Sequence, residues 1–331
     1  MLIGLNSLGE QPNILLLFVE GMSSNNVEDK KNIMPNTKKY MEKSLRFENY
    51  YNHTAPTYRG LIGQLYSGYQ LENNDINKLV SLQSVLKNTG YSTYFVNVET
   101  ENEEFTTYLN SMGFDEVLSF LVGQENSGKE FEYLYDKAIE LNQTNKPFLL
   151  SIYNVETHIG WDNSEHCYKN CKNSLYNKFY NLDYYYGEFM KKFEESELFD
   201  NTIVIFTTDH ATYDDQDFYA AYPNYSRYFS FLDEVPFFIY HKGVKKRVID
   251  ANGRNSLDLV PTILDYIDVS DINCFLGDSL FSSENKSKYN YYYFAPGCYY
   301  TSVNATVSDM DTKKKEEFEE DLIKYFAVSK Y

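Results

Sequence analysis

Apolar segments of strand length alternate with amphipathic segments of helix length along most of the chain. Such alternation is typical of an α/β fold with a mostly parallel sheet. The predicted strands are five apolar runs, each followed by polar or glycine-containing residues: Asn13–Glu20, Tyr94–Val98, Phe148–Val155, Thr202–Asp209 and Pro236–His241.

Helical spacing of apolar residues fills the intervals between these strands. Helices are predicted over Ile76–Thr89 and Tyr176–Ser196, a further helix ends over Lys137–Asn142, and the short run Leu61–Leu65 also indicates a helix. After Ser270 the pattern weakens.

No repeat, low-complexity linker or hinge divides the chain. We therefore expect one domain over residues 12–331, preceded by a lead-in over residues 1–11. Within the domain, residues 161–173 are predicted to form a loop over the face where the strands end. Residues 313–331 are predicted to form a charged helix that closes the domain.

Composition and charge narrow the class of protein. The 331 residues are 43% hydrophobic and 24% charged, as in globular proteins. A net charge of −18 repels phosphate backbones, so no nucleic-acid partner is expected. The longest apolar run, Ile14–Val19, is too short to span a membrane, and no secretory signal is visible. Taken as complete, the chain would be cytoplasmic.

The four cysteines allow two disulfides. Zinc binding by Cys167 and Cys171 is the alternative, and it is weak because no second close Cys or His pair follows them. The remaining two cysteines are Cys274 and Cys298.

Polar residues of unusual chemistry stand where three predicted strands end: Glu20, His158 and the pair Asp209-His210. Active residues of open α/β sheets gather at this edge. A carboxylate at the end of a buried strand needs a positive neighbour, and a metal ion is a common one. The oxygen and nitrogen donors of Asp209 and His210 suit zinc or manganese. A salt bridge or helix N-terminal position for Glu20, and a hydrogen-bonded Asp-His pair, are the alternatives.

Thr57 is the candidate nucleophile for such a site. It precedes the predicted helix Leu61–Leu65, and helix N-terminal amides together with a metal would stabilise a phosphoryl or sulfuryl oxygen there. The alternative is that Thr54 or Thr57 only caps the helix.

The ordered motifs resemble the sulfatase-type branch of the alkaline phosphatase superfamily. They are most similar to the catalytic domains of lipoteichoic acid synthases and phosphoethanolamine transferases. The resemblance implies an alkaline phosphatase-like three-layer α/β/α sandwich with a mostly parallel central sheet. Its motifs are Asn13–Glu20, Met34–Thr37, Thr57 with Tyr66–Gly68, Leu82–Tyr94, Glu156–His158, Asn201–His210, Val235–Tyr240 and Asp258–Leu264.

Carried over to this sequence, the resemblance implies one divalent metal, zinc or manganese, held by Glu20, Thr57, Asp209 and His210. Thr57 would be the nucleophile, and His158 would contact the substrate phosphate or assist the leaving group. Four further residues are less strongly supported candidates for substrate binding: His53, Arg59, Asn154 and Trp161. Loop packing is the alternative for His53 and Trp161.

The implied reaction is transfer or hydrolysis of a phospho-substituent, such as phosphoglycerol or phosphoethanolamine, through a covalent phosphothreonine. The donor would be a phospholipid-type or other phosphodiester and the acceptor a glycan or lipid of the cell envelope, which implies an extracytoplasmic location. Sulfatases make formylglycine from a cysteine or serine in C-x-P-x-R, whereas Thr54–Arg59 has threonine there, so sulfate hydrolysis is disfavoured. A phosphomonoesterase, a sulfatase-like hydrolase and an inactive glycan-binding protein remain the alternatives.

Overall fold

A computed structural model of the chain describes residues 8–9, 11–71, 79–120, 126–161, 164–282 and 286–328. Most of the predicted lead-in, residues 76–78 of a predicted helix, residues 162–163 of the predicted loop and residues 329–331 of the predicted closing helix lie outside this part. The division into a lead-in and one domain stays a prediction.

Eight strands form the large sheet, in the order β4-β3-β5-β1-β6-β7-β2-β8. Only β7 runs against the others among these described strands, so the sheet is mostly parallel, as predicted. Their bounds are β1 (Asn13–Val19), β2 (Leu45–Glu48), β3 (Ser92–Asn97), β4 (Glu116–Ser119), β5 (Phe148–Asn154), β6 (Thr202–Thr208), β7 (Phe237–Tyr240) and β8 (Arg247–Asp250).

Ten α-helices are assigned in the described residues. Two of them, α6 and α7, are long and lie against each other. The bounds are α1 (Ser24–Glu28), α2 (Pro35–Lys43), α3 (Thr57–Leu65), α4 (Leu82–Asn88), α5 (Glu103–Ser111), α6 (Ser127–Asn142), α7 (Ser174–Glu194), α8 (Gln216–Ala221), α9 (Leu259–Tyr266) and α10 (Thr312–Val328).

Helices cover both faces of the sheet. Leu17 pairs in register with both Ile152 and Phe206, so these three side chains point to the same face, where Phe206 contacts Tyr186 of α7. Tyr153 is next to Ile152 and points to the opposite face, where its ring packs against Phe105 of α5. The predicted three-layer α/β/α sandwich is therefore confirmed.

The central strands form because their sequences are mainly apolar, and every residue of β1 and β6 is buried. Such strands suit the middle of a parallel sheet that is covered on both sides. The helix predicted from Tyr176 begins two residues earlier, since the side chain of Asn173 accepts a hydrogen bond from the Tyr176 amide and caps it. In the described part of the segment predicted as helical from Ile76, the helix begins at Leu82, where Ser81 forms a capping box with Ser84.

The weak pattern after Ser270 contains a second, three-stranded antiparallel sheet, β9 (Tyr292–Ala295), β10 (Cys298–Thr301) and β11 (Ser308–Asp309). Helix α10 packs on it through Phe318, whose ring contacts Phe294. These strands were missed because each has at most four residues and their apolar side chains are mostly tyrosines.

The cysteines form one disulfide, between Cys167 and Cys171. The second disulfide that four cysteines would allow is not formed, because Cys274 is exposed, Cys298 is half-buried, and both thiols are free. Among the described residues, no helix has both the length and the apolar character needed to cross a membrane.

Candidate active site

Adjacent parallel strands bring the predicted metal ligands together. β1 and β6 pair up to Val19 and Thr208, so Glu20 and Asp209 leave the sheet side by side. One ligand atom from each of Glu20, Asp209 and His210 lies within 4.8 Å of the others, and all three residues are buried.

Thr57 lies at the same place, as the first residue of α3. Its Oγ1 donates to Glu20 Oε2 at 3.0 Å and lies 3.5 Å from His210 Nε2. No side chain caps α3, and the Thr54 hydroxyl donates to the Phe294 carbonyl instead. The Thr57 hydroxyl therefore faces the carboxylate and imidazole groups rather than the helix amides.

Hydrogen bonding fixes the tautomer of His210. Its Nδ1 lies 2.8 Å from the carbonyl oxygen of Ala211, and a carbonyl only accepts, so Nδ1 carries the proton. Nε2 is left with its lone pair, 3.4 Å from Glu20 Oε1 and 3.3 Å from Asp209 Oδ2. The ring of Tyr213 stacks on the imidazole with centroids 4.6 Å apart. This is the arrangement of a metal-ligating histidine.

The two carboxylates share a buried site that is electrostatically costly without a cation. Asp209 Oδ1 accepts from the amides of Gly21 and His210, at 2.8 and 2.7 Å. Burial, and then the charge of Glu20, raise the pKa of Asp209 well above its usual range. Burial also raises the pKa of Glu20, but interactions with His210, Asp209, His158 and the Tyr153 hydroxyl outweigh it, so the pKa of Glu20 is lowered.

One oxygen of this pair has no protein partner. Asp209 Oδ2 is buried and accepts no hydrogen bond from the described residues. An orphaned carboxylate oxygen beside a second carboxylate and an imidazole lone pair fits a bound divalent cation. The mixed oxygen and nitrogen donors are those that zinc and manganese accept.

Tyr153 is a site residue that the sequence analysis missed. Its hydroxyl donates to Glu20 Oε2 inside the sheet. The backbone of Glu20 is held as well. Its amide donates to the Asn154 carbonyl at 3.0 Å, and its carbonyl accepts from Thr157 Oγ1 at 2.6 Å. A tyrosine within an apolar strand gave no signal that distinguished it from a core residue.

His158 lies in the turn after β5 and is partly exposed. Its Nδ1 donates to the Ile159 carbonyl at 2.9 Å, so Nε2 of the neutral ring keeps its lone pair. The buried ammonium group of Lys178, from α7, donates to the His158 carbonyl at 3.0 Å and fixes the turn. The Trp161 ring lies 5.3 Å from the imidazole, so Trp161 borders His158. Further along the predicted loop, Tyr168 is tied to α7 through Asn177.

Arg59 does not face the metal ligands, contrary to its assignment as a phosphate contact. Its buried guanidinium donates to the carbonyls of Gln70 and Leu71. Two residues along a helix rotate the side chain by about 200°, so position 59 points away from the side on which Thr57 lies.

His53 and Asn154 are also placed in packing roles instead of at the substrate. His53 is buried between Ser256 Oγ and the Gly68 carbonyl, and burial lowers its pKa to about 3. The Asn154 side chain donates to Ser127 and joins β5 to the start of α6. Each is held by groups on neighbouring loops and helices, which sequence spacing does not reveal.

The chain with this fold and this buried carboxylate-histidine site matches a known protein family. The family model described as Sulfatase matches residues 12–269, so the chain belongs to the sulfatase family, whose enzymes are metal dependent. No curated protein matches the sequence.

Several solved structures share the fold at low sequence identity. An alkaline phosphatase superfamily protein from Vibrio parahaemolyticus is 18% identical with a TM-score of 0.76, over 95% of this chain and 82% of that one. The lipoteichoic acid synthase LtaP from Listeria monocytogenes is 16% identical with a TM-score of 0.75, over 99% and 94%. The C-terminal periplasmic domain of EcEptC from Escherichia coli is 16% identical with a TM-score of 0.58, over 92% and 94%. The family match supports an enzyme, and the solved structures support the fold.

Proposed function

We propose that this protein transfers or hydrolyses a phospho-substituent of a phosphodiester, with Thr57 as the covalent nucleophile. The observation that carries the proposal is the position of Thr57 Oγ1, 3.0 Å from Glu20 Oε2 and 3.5 Å from His210 Nε2. A hydroxyl placed at a helix N-terminus beside a metal-binding cluster is arranged for nucleophilic catalysis.

The residues that would hold one divalent ion, zinc or manganese, are Glu20, Asp209, His210 and Thr57. Bound there, the ion would lower the pKa of the Thr57 hydroxyl and neutralise charge on the phosphoryl oxygens. Tyr153 orients Glu20, and the Ala211 carbonyl keeps the His210 lone pair directed at the site.

In the first step, Thr57 Oγ1 attacks phosphorus and forms the Oγ–P bond, while the bond from phosphorus to the departing alcohol oxygen breaks. The Thr57 proton leaves along its existing hydrogen bond to Glu20. His158, as an imidazolium, protonates the departing alcohol from Nε2, because its Nδ1 is bonded to the Ile159 carbonyl. In the second step, water or a second alcohol attacks phosphorus and the Oγ–P bond breaks. His158 takes the proton of the attacking oxygen, and Thr57 Oγ1 recovers its proton from Glu20.

Threonine supports phosphoryl over sulfuryl chemistry, since formylglycine is made from cysteine or serine and the segment Thr54–Arg59 contains neither. The relatives LtaP and EcEptC, a lipoteichoic acid synthase and a protein with a periplasmic domain, support a phospholipid-type donor, a glycan or lipid acceptor and an extracytoplasmic site of action. Phosphoglycerol and phosphoethanolamine are the groups proposed for transfer.

The test compares wild type, Thr57→Ala and Thr57→Ser on nitrophenyl esters of a phosphodiester, a phosphomonoester and sulfate, with added zinc or manganese. We expect the diester to be the preferred substrate and Thr57→Ala to lose about 10³-fold or more of kcat/KM. Thr57→Ser keeps the hydroxyl and should retain measurable turnover, together with a phosphoryl adduct on residue 57 in intact-mass spectra. Full activity of Thr57→Ala would contradict the proposal, and preference for the monoester or sulfate would favour the corresponding hydrolase.

A further inference from the structure

A cavity of about 600 Å³ opens directly beside the proposed nucleophile. Ala55 and Pro56, which immediately precede Thr57, form one wall, and Ile159, which follows His158, forms another. A third wall is Tyr213, whose ring stacks on the His210 imidazole. A substrate whose phosphorus lies at Thr57 would therefore extend its organic arm into this space.

Aromatic rings form a large part of the cavity surface. Tyr213 meets Phe231 edge to face, with centroids 5.1 Å apart, and Phe231 is 39% exposed. Phe229 contacts both Phe231 and Tyr293, so the rings form one continuous group. Tyr293 also lines the cavity, and its buried hydroxyl has no hydrogen-bond partner among the described residues.

The charged side chains that line the cavity in the described part of the chain are all negative. Asp214 and Asp215 line it, and its lining in the described part of the chain includes no lysine or arginine. Asp214 accepts from the Tyr219 hydroxyl at 2.7 Å, and Asp215 accepts from the Phe218 amide at 2.9 Å as the N-cap of α8. Both partners are neutral, so neither contact cancels a carboxylate charge.

We propose that this cavity binds a substrate arm that ends in an ammonium group, such as an amino or trimethylammonium alcohol. Aromatic faces attract cations through their quadrupoles, and carboxylates at the rim add Coulomb attraction. The same carboxylates repel a second phosphate or sulfate on that arm. The inference rests on the proposed function for its account of why the arm is present, but the binding itself does not require turnover.

Cys298 supplies a reporter of occupancy, since it lines the cavity and its thiol is free, while exposed Cys274 provides an internal control. The alkylation rate of each thiol is measured by peptide mass spectrometry with increasing choline or with 3,3-dimethylbutan-1-ol, its neutral isostere. We expect choline to protect Cys298 and leave Cys274 unaffected. Half-protection by the isostere should need a concentration about tenfold higher.

The double variant Asp214→Asn with Asp215→Asn tests the charge directly. Asparagine keeps one acceptor oxygen at each of the two positions. Residue 215 therefore still caps α8, and the fold is retained. Choline protection should weaken to the level of the isostere, and the isostere's protection should not change. Equal protection by choline and isostere in wild type, or no protection by either, would overturn the inference.

Running the same assay in Thr57→Ala separates the two proposals. Choline protection in that variant together with lost turnover supports both. Choline protection with turnover that does not depend on Thr57 leaves the ammonium subsite standing and overturns the proposed nucleophile.

Discussion

A Cβ atom on Gly60 would lie 2.3 Å from the carbonyl oxygen of Asp209. The first turn of α3, which carries Thr57, thus packs against the end of β6 at a distance that only glycine allows. Gln64, one turn further along α3, donates to the carbonyls of Thr208 and Asp209 at 2.8 and 3.1 Å and holds the same contact. This contact between α3 and the end of β6 fixes the position of Thr57 relative to Asp209.

The variant Gly60→Ala should push α3 away from Asp209. We expect turnover and metal affinity to fall at least about tenfold, because small displacements of reacting groups are costly. Gly63→Ala is the matched control, because Gly63 lies on the same helix but away from the metal ligands. Its added Cβ would lie 2.4 Å from His53 Nε2. Both variants should lose about 2 kcal/mol of stability. Equal losses of turnover per folded molecule in the two variants would contradict this account.

Tyr153→Phe removes the hydroxyl that donates to Glu20. The Glu20 carboxylate then loses one of the hydrogen bonds that orient it. We expect metal affinity to fall about tenfold, which is the usual effect of losing a hydrogen bond to a charged group. Tyr91→Phe removes another buried hydroxyl, which donates to the Pro12 carbonyl at 2.9 Å. Pro12 precedes β1 whereas Glu20 follows it, so this variant should leave metal affinity unchanged. Metal titration by calorimetry measures both, and unchanged affinity in Tyr153→Phe would exclude the positioning role.

Glu234 should make stability depend on pH. Burial, with the charges of Glu28, Asp233 and Glu48, raises its pKa from 4.5 to about 7, although the Asn49 amide donates to it. The folded state therefore binds more protons than the unfolded state between these values, so this group's contribution to stability falls as pH rises through them. Glu234→Gln keeps the acceptor for Asn49 and removes the titration.

Denaturant unfolding of wild type and Glu234→Gln at about pH 5 and about pH 8 measures this effect. The stability difference should move in favour of the variant by on the order of 2 kcal/mol between the two conditions. A difference that is the same at both pH values would show that Glu234 does not titrate as described.

Arg59 should prove structural. In Arg59→Met the carbonyls of Gln70 and Leu71 lose their donors, and we expect a loss of about 2 to 4 kcal/mol in unfolding free energy. KM of the remaining folded enzyme should change less than about threefold, since the guanidinium does not reach the substrate. A large rise in KM with unchanged stability would restore the phosphate-binding assignment.

The central sheet was predictable because its strands carry long apolar runs with abrupt polar ends. That pattern also located Glu20, Asp209 and His210, which follow adjacent parallel strands, and the structure brings Thr57 to them. Their roles as ligands and nucleophile stay predictions.

Side-chain direction was not predictable in the same way. Arg59 is two residues from Thr57 but points elsewhere because of helix phase, and the Asn154 side chain donates to Ser127 at the start of α6. Tyr153 acts through one hydroxyl at the end of an otherwise apolar ring. Contacts of this kind depend on tertiary packing rather than on local spacing.

The most direct test of the account is the metal content of the purified chain, by elemental analysis of wild type, Asp209→Ala and the surface control Glu28→Gln, with folding checked by circular dichroism. The account predicts about one zinc or manganese ion per chain in wild type and the control, and almost none in folded Asp209→Ala. A wild-type protein that binds neither metal, even when either is supplied in excess, or an Asp209→Ala variant with full metal content, would contradict it.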